Sequence, residues 1–411
     1  MSVSRPMLFF RSGARSWRGT ALCAMLVAAA PLGVAHAQWA QDGAVAAKTY
    51  ANTAEAVLSR HNAQQLAPRW QMMIGQFYAS SATEADGRLF TCSNLYGSSA
   101  LAPTTGEFLW SRSNTAGGDC GNPALSQGVA YLASSSYTPS NRNLLTAVDQ
   151  ATGQAQWTAE LPAGPDYLGV GFGPAVDGGR VFLSTGRDAI VAVDASNGSV
   201  LWQASTGGGV VLNNDVAVAD GRVFASTWHE CCESALRQLF AFDAVSGAPL
   251  WVAEVDGTNM QHAAMALGRR VIVGSDSGIV RAFAARDGRL LWSRALEGYL
   301  SAPLVGQGAR VYAVSGNRQV QALDAATGEV VWRRALPGTY QVASNMAWAN
   351  GALYVTVQDF SGDKRLAVLN AATGHTTAAV PLSIRGSFTK LSVSDGQVYL
   401  SSEGQLTALG L

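Results

Sequence analysis

The chain of 411 residues is 48% apolar, 9% aromatic and 14% charged, carries 44 glycines, and sets 28 basic residues against 28 acidic ones. That much apolar surface with so little charge excludes a disordered chain, and without a basic excess nothing drives binding to a phosphate backbone, so nucleic acid is not an expected partner. At this length two or three domains are expected unless an internal repeat builds one large one.

Residues 1–37 carry Arg5, Arg11, Arg15 and Arg18 without an acid, then the apolar run from Ala21 to Val34 and the small-residue end Ala35-His36-Ala37. This is the layout of a secretory signal peptide, with cleavage expected after Ala37. The apolar run is shorter than the roughly 20 residues that span a bilayer, and no later stretch of the chain reaches that length. The mature protein is therefore expected to be soluble, periplasmic or secreted, and to have no transmembrane span. It is mildly acidic, with 24 bases against 28 acids. An uncut membrane anchor is the alternative; a lipid anchor is not expected, because Thr20-Ala21-Leu22 before Cys23 matches a lipoprotein site poorly.

A lead-in, residues 38–64, precedes the repeat that fills residues 65–411. The repeat's signal is a turn followed by an aromatic strand, complete in Asp149-Gln-Ala-Thr-Gly153-Gln-Ala-Gln-Trp157. In chain order it begins with Trp70, which has no turn before it, and a weaker copy from Ala102 to Trp110. After Trp157 come Asp194 to Trp202, Asp243 to Trp251, a weaker Ala284 to Trp292, Asp324 to Trp332, and Asn370 to Gly374 with Ala378 in the tryptophan slot. The residue types follow from the turn. Asp or Asn four before the glycine accepts backbone N–H groups, glycine supplies the positive φ that closes a tight hairpin, and tryptophan plugs the space between sheets.

Each unit opens with an earlier hairpin, such as Pro174-Ala-Val-Asp-Gly-Gly-Arg180-Val-Phe-Leu-Ser184. Eight such hairpins and eight tryptophan slots recur at a mean spacing of 44 residues. Four short strands at that period make a propeller blade. The expected fold is all-β, an eight-bladed β-propeller of four-stranded antiparallel blades. The chain ends in a third strand without a fourth, Gln405 to Leu411, and the Trp70 strand is a fourth without its first three. The N-terminal strand is expected to complete the last blade and close the ring, which removes two bare sheet edges. The rival is an open solenoid.

Four cysteines remain after cleavage: Cys92, Cys120, Cys231 and Cys232. An even number in an exported chain favours disulfides. Cys92 ends the second strand of blade one and Cys120 precedes blade two, on one face, which favours a 92–120 bridge among the three possible pairings.

Counting strands outward from the axis, the first-to-second and third-to-fourth connections are uniformly tight. The second-to-third loops, such as Ser135 to Asn143, Thr227 to Gln238 and Gln358 to Arg365, and the inter-blade loops, such as Asn114 to Asn122 and Gly207 to Asp215, are long and varied. Long loops on one face of a regular scaffold are where binding residues collect. Just before the innermost strands, and so around the channel mouth on that face, stand Ser81, Asn122, Gly173, Asn214, Asp215, His262, Ser301, Asn345, Thr389 and Lys390. Several suit a small polar ligand, and Lys390 or His262 a carboxylate. The alternative is that they bind channel water.

The Ala-x-Asp-x-x-Thr-Gly-x-x-x-Trp strings resemble the quinoprotein dehydrogenase-like propellers built from PQQ-type repeats, over roughly residues 38–411. The segment from Leu58 to Trp70 looks like the one that opens quinoprotein alcohol dehydrogenases. That family includes PQQ-dependent enzymes and a non-enzymatic lipoprotein of outer-membrane assembly, so the resemblance implies two readings. The first is a non-catalytic binding or assembly module that uses the long-loop face and channel mouth on a small polar ligand or an envelope protein.

The second is a compact PQQ- and calcium-dependent dehydrogenase of alcohols, aldehydes or sugars. In it Asp215 would be the base, Asn214 and Asp215 the calcium ligands, and Asn122, His262, Asn345 and Lys390 the contacts to the cofactor. Cys231-Cys232 would form a lid similar to the adjacent-cysteine disulfide of those enzymes, or else a local loop staple. One acid–amide pair is less than a full calcium site, and the scattered histidines and missing hydrolase and phosphate motifs offer no other chemistry. The first reading leads because the scaffold is complete and the catalytic set is not.

Overall fold

Each Asp–Gly turn of the repeat joins the third and fourth strands of a sheet. At the first of them Asp149 Oδ1 accepts the N–H groups of Ala151 at 3.0 Å and Thr152 at 2.8 Å, and Gly153 takes the left-handed φ of +70°. Asp243 and Asp324 bind the two N–H groups that follow them in the same way. The computed structural model describes Met1 and residues 38–411 except 77, 114–119, 136–142, 163–172, 186–188, 208–214, 228–236, 256–261, 337–340, 385, 387 and 388. The expected signal peptide, apart from Met1, lies outside the described residues.

The described strands form eight sheets. Blade one is Thr83–Ala85, Arg88–Ser93, Gly97–Leu101 and Phe108–Arg112, and its order, innermost to outermost, recurs in each later blade. The innermost strands of blades two to seven are Ala124–Ser126, Ala175–Asp177, Ala217–Ala219, Met265–Leu267, Val305–Gln307 and Gln341–Ala349. Blade eight takes Lys390–Ser394, Gln397–Ser402 and Gln405–Gly410 from the end of the chain and Ala67–Met73 from its beginning. Trp70 stands opposite Ala408 and Met72 opposite Leu406. The ring is closed as the sequence predicts, and each sheet is antiparallel within its blade.

Between blades the packing follows one rule. The indole of each of seven repeat tryptophans lies over the glycine of the next blade's turn: a Cβ added to Gly106, Gly153, Gly198, Gly247, Gly288, Gly328 or Gly374 would come within 2.5–2.7 Å of Trp70, Trp110, Trp157, Trp202, Trp251, Trp292 or Trp332 respectively. The same indole donates its Nε1–H to a carbonyl of that turn, as Trp157 does to Ala195 O at 3.1 Å and Trp332 to Ala371 O at 3.1 Å. The glycine is thus required twice, for its φ and for the ring above it. In the eighth slot Ala378 is buried within the blade-seven core, and Gly410, at the open end of blade eight, meets Arg69 where a Cβ would stand.

Candidate functional site

The inner edge of every blade is a three- to nine-residue strand whose outward N–H and C=O groups need partners. Residues 39–52 of the lead-in supply them, visiting the blades in order. Trp39 exchanges both backbone bonds with Glu84 of blade one, at 3.0 and 2.9 Å. Ala40 O accepts from Leu125 of blade two at 2.7 Å, and the Gln41 amide stands in for a peptide group toward Val176 of blade three, accepting its N–H at 3.0 Å. Ala46, Ala47, Thr49 and Tyr50 carbonyls take the N–H groups of Val218, Ala266, Gly306 and Trp348, at 2.8 to 2.9 Å. Ala51–Asn52 then adds a short parallel strand to blade seven, and Asn52 Nδ2 donates to Val393 O of blade eight at 2.9 Å. We call this segment the strap.

The strap carries charge into the core. Lys48 is 1% exposed and its ammonium lies 3.3 Å from Oδ1 of Asp215. Tyr50 donates its hydroxyl to Asp42 Oδ2 at 3.1 Å. Burial pushes the Asp215 carboxyl up to about 6; Lys48 opposes that shift and Asp42 adds to it. Desolvation is the largest cause, and a carboxyl taken out of water is pushed upward even beside a cation. Burial and the two acids likewise hold the Tyr50 phenol well above its ordinary range.

The expected channel-mouth residues divide into groups. Asn122 Oδ1 accepts the Ser81 N–H at 2.8 Å, and a Cβ at Gly173 would strike Asn122 O at 2.5 Å. Asn345 binds both backbone groups of Leu391, giving its Nδ2–H to the carbonyl at 2.8 Å and accepting the N–H at 2.7 Å. These amides act as ties between neighbouring innermost strands. Ser301 donates its hydroxyl to Val314 O at 3.1 Å, and Thr389 is fully buried, bridged to Ser344. Lys390 sits over the face of Tyr78, 4.5 Å from the ring centroid, with its Nζ 3.4 Å from the hydroxyl.

His262 Nε2 is buried without a hydrogen-bond partner among the described residues, and desolvation lowers the ring's pKa to about 4. Cys92 and Cys120 stand with Cα atoms 6.1 Å apart, within the span of a disulfide. Asn214, Cys231 and Cys232 lie outside the described residues, so the adjacent-cysteine pair is neither placed nor brought to Asp215. Among the described residues no three His, Cys, Asp or Glu side chains form a metal-ion cluster, and no helix is long and apolar enough to cross a membrane.

The sequence reading missed Asp42, Lys48 and Tyr50. One signal was available: innermost strands of three residues leave their axial edges unpaired, and the only chain outside the repeat long enough to cover them is the lead-in.

A family model described as outer membrane protein assembly factor BamB matches residues 140–299 and 275–411. The chain belongs to this family. It is 26% identical over 178 residues to the BamB of Yersinia pestis, 41% of this chain and 43% of that protein. It is 27% identical over 230 residues to the BamB of Burkholderia pseudomallei strain K96243, 54% of this chain and 56% of that protein. The chain thus spans about half the length of the curated relatives it matches.

Among solved structures, BamB from Moraxella catarrhalis superposes with a TM-score of 0.61 at 20% identity over 84% of this chain and all of that one. Quinohemoprotein alcohol dehydrogenase from Comamonas testosteroni superposes with a TM-score of 0.70 at 13% identity over 91% of this chain and 80% of that one. At such identities the likeness is one of fold, and the propeller is common to a catalyst and an assembly factor.

Proposed function

We propose that the protein is exported to the periplasm after cleavage behind Ala37 and serves there as a non-catalytic module in the assembly of outer membrane proteins. It offers its long-loop face to an envelope protein partner, and a Cys92–Cys120 disulfide staples blades one and two beside that face. Membership of the BamB family supports the assembly role. The single observation that carries the non-catalytic reading is the pairing of Asp215 with the buried Lys48.

Among the described residues, the arrangement does not fit a PQQ–calcium centre. A calcium ion at Asp215 would have to displace an ammonium group already seated 3.3 Å away. The Asn345 amide is used at both ends on Leu391, and the Asn122 oxygen on Ser81.

The test is genetic. Deleting the gene in its own host should lower the amount of folded β-barrel protein in the outer membrane, and the wild-type gene supplied in trans should restore it. Unchanged barrel levels would overturn the proposal.

A further inference from the structure

The strap is attached to the propeller as a ligand is attached to a receptor. Its recognition is mostly main-chain, with each of blades two to seven giving it one N–H from its innermost strand, and with Trp39 and Asn52 fastening the two ends. This is the mode by which an unpaired sheet edge takes up an extended peptide, repeated around a circle. Two side-chain interactions add selectivity: Lys48 reaches Asp215, and Trp39 meets Tyr50 edge-on at 6.4 Å, bringing the two ends of the loop together.

The conformation shows which partner imposes the shape. Ala44, Lys48 and Tyr50 all hold positive φ, at 69°, 56° and 51°. Such values are unfavourable for residues with a Cβ and persist only where the surroundings over-determine them. The site therefore bends the strap, and not the reverse. Beyond Asn52 the chain surfaces at the exposed Thr53 and Ala54 before Glu55 anchors it again, with its carboxylate accepting the N–H groups of Val57, Leu58 and Gly396.

From these observations we propose that the axial ring of innermost strands is a peptide-binding site. Its present occupant is residues 39–52 in cis, and it takes in trans a peptide that can adopt the same bends, with a lysine at the Lys48 position and aromatic residues at the two ends. The site shares Asp215 with the channel mouth and does not depend on the assembly role.

The test uses the full chain. A protease recognition sequence is inserted between Thr53 and Ala54, the protein is folded and cut, and the released segment is exchanged against a labelled synthetic peptide of residues 38–53, followed by fluorescence anisotropy. One labelled peptide per propeller should bind, and the Lys48→Met peptide should bind at least tenfold more weakly. A scrambled peptide should not bind. Loss of the β signal in circular dichroism on cutting would overturn the proposal, as would equal binding of the scrambled peptide or no uptake after the cut segment has left.

Discussion

The indole of Trp157 lies flat against Gly198 of the following blade, where a Cβ would come within 2.6 Å of Cε3, and it donates its Nε1–H to Ala195 O at 3.1 Å. The same relationship joins Trp70 to Gly106 across the closure of the ring. Trp157→Ala removes both the contact and the hydrogen bond and should cost about 3 kcal/mol, read from the urea midpoint. Gly198→Ala should cost roughly 1–3 kcal/mol, since it overpacks the ring at a φ of +79°. In the Trp157→Ala background the steric part of that cost disappears and only the backbone strain remains. The two effects should therefore fall short of additivity; strict additivity would show that the glycine is needed for its φ alone.

This relationship explains why so much of the fold was legible. A tryptophan, an acid and a glycine at fixed offsets are local, and each copy reports the same inter-blade contact, so blade number, strand order and closure by the Trp70 strand follow from the spacing. The strap was not legible for the opposite reason. Its left-handed residues Ala44, Lys48 and Tyr50 and its partners from Glu84 to Val393 are set by eight distant strands, with no periodicity of its own. Asn122 and Asn345 were legible as polar groups at the mouth, but not as ties, because an amide that imitates a peptide group looks the same in sequence as one that awaits a ligand.

The buried pair of Lys48 and Asp215 makes a prediction about stability and one about pH. Removing one partner strands a charge, so Lys48→Met should cost about 3–5 kcal/mol, whereas Lys48→Met with Asp215→Leu should come close to neutral. The folded Asp215 carboxyl holds its proton up to about pH 6, while the unfolded one releases it near 3.8. The folded state thus binds more protons between those values, and the group's contribution to stability, present below about pH 4, is lost as pH rises to about 6. The stability difference between wild type and Asp215→Asn, measured from pH 4 to pH 7, should fall over that interval and then level off. A difference that rises would reverse the assignment.

His262 should stay neutral throughout the physiological range. Desolvation lowers its pKa to about 4, and among the described residues Nε2 has no partner to stabilise a proton there. The C2–H resonance of this ring, assigned by comparison with His262→Gln, should titrate well below 6.5, the ordinary value. A midpoint at or above 6.5 would mean that the ring is hydrated.

Cys92 and Cys120 are 28 residues apart in sequence and adjacent in space. Peptide mapping without reduction should recover them joined, and Cys92→Ser should lower stability by about 2–4 kcal/mol. Recovery of Cys92 joined to Cys231 or Cys232 would refute the pairing.

The measurement that bears most directly on the non-catalytic account is a titration of purified protein with PQQ in the presence of calcium, following the absorbance of bound cofactor and dye reduction with alcohols, aldehydes and sugars. With the Lys48 ammonium seated on Asp215, neither binding at micromolar PQQ nor turnover is expected. Stoichiometric uptake accompanied by turnover that Asp215→Ala abolishes would contradict the account.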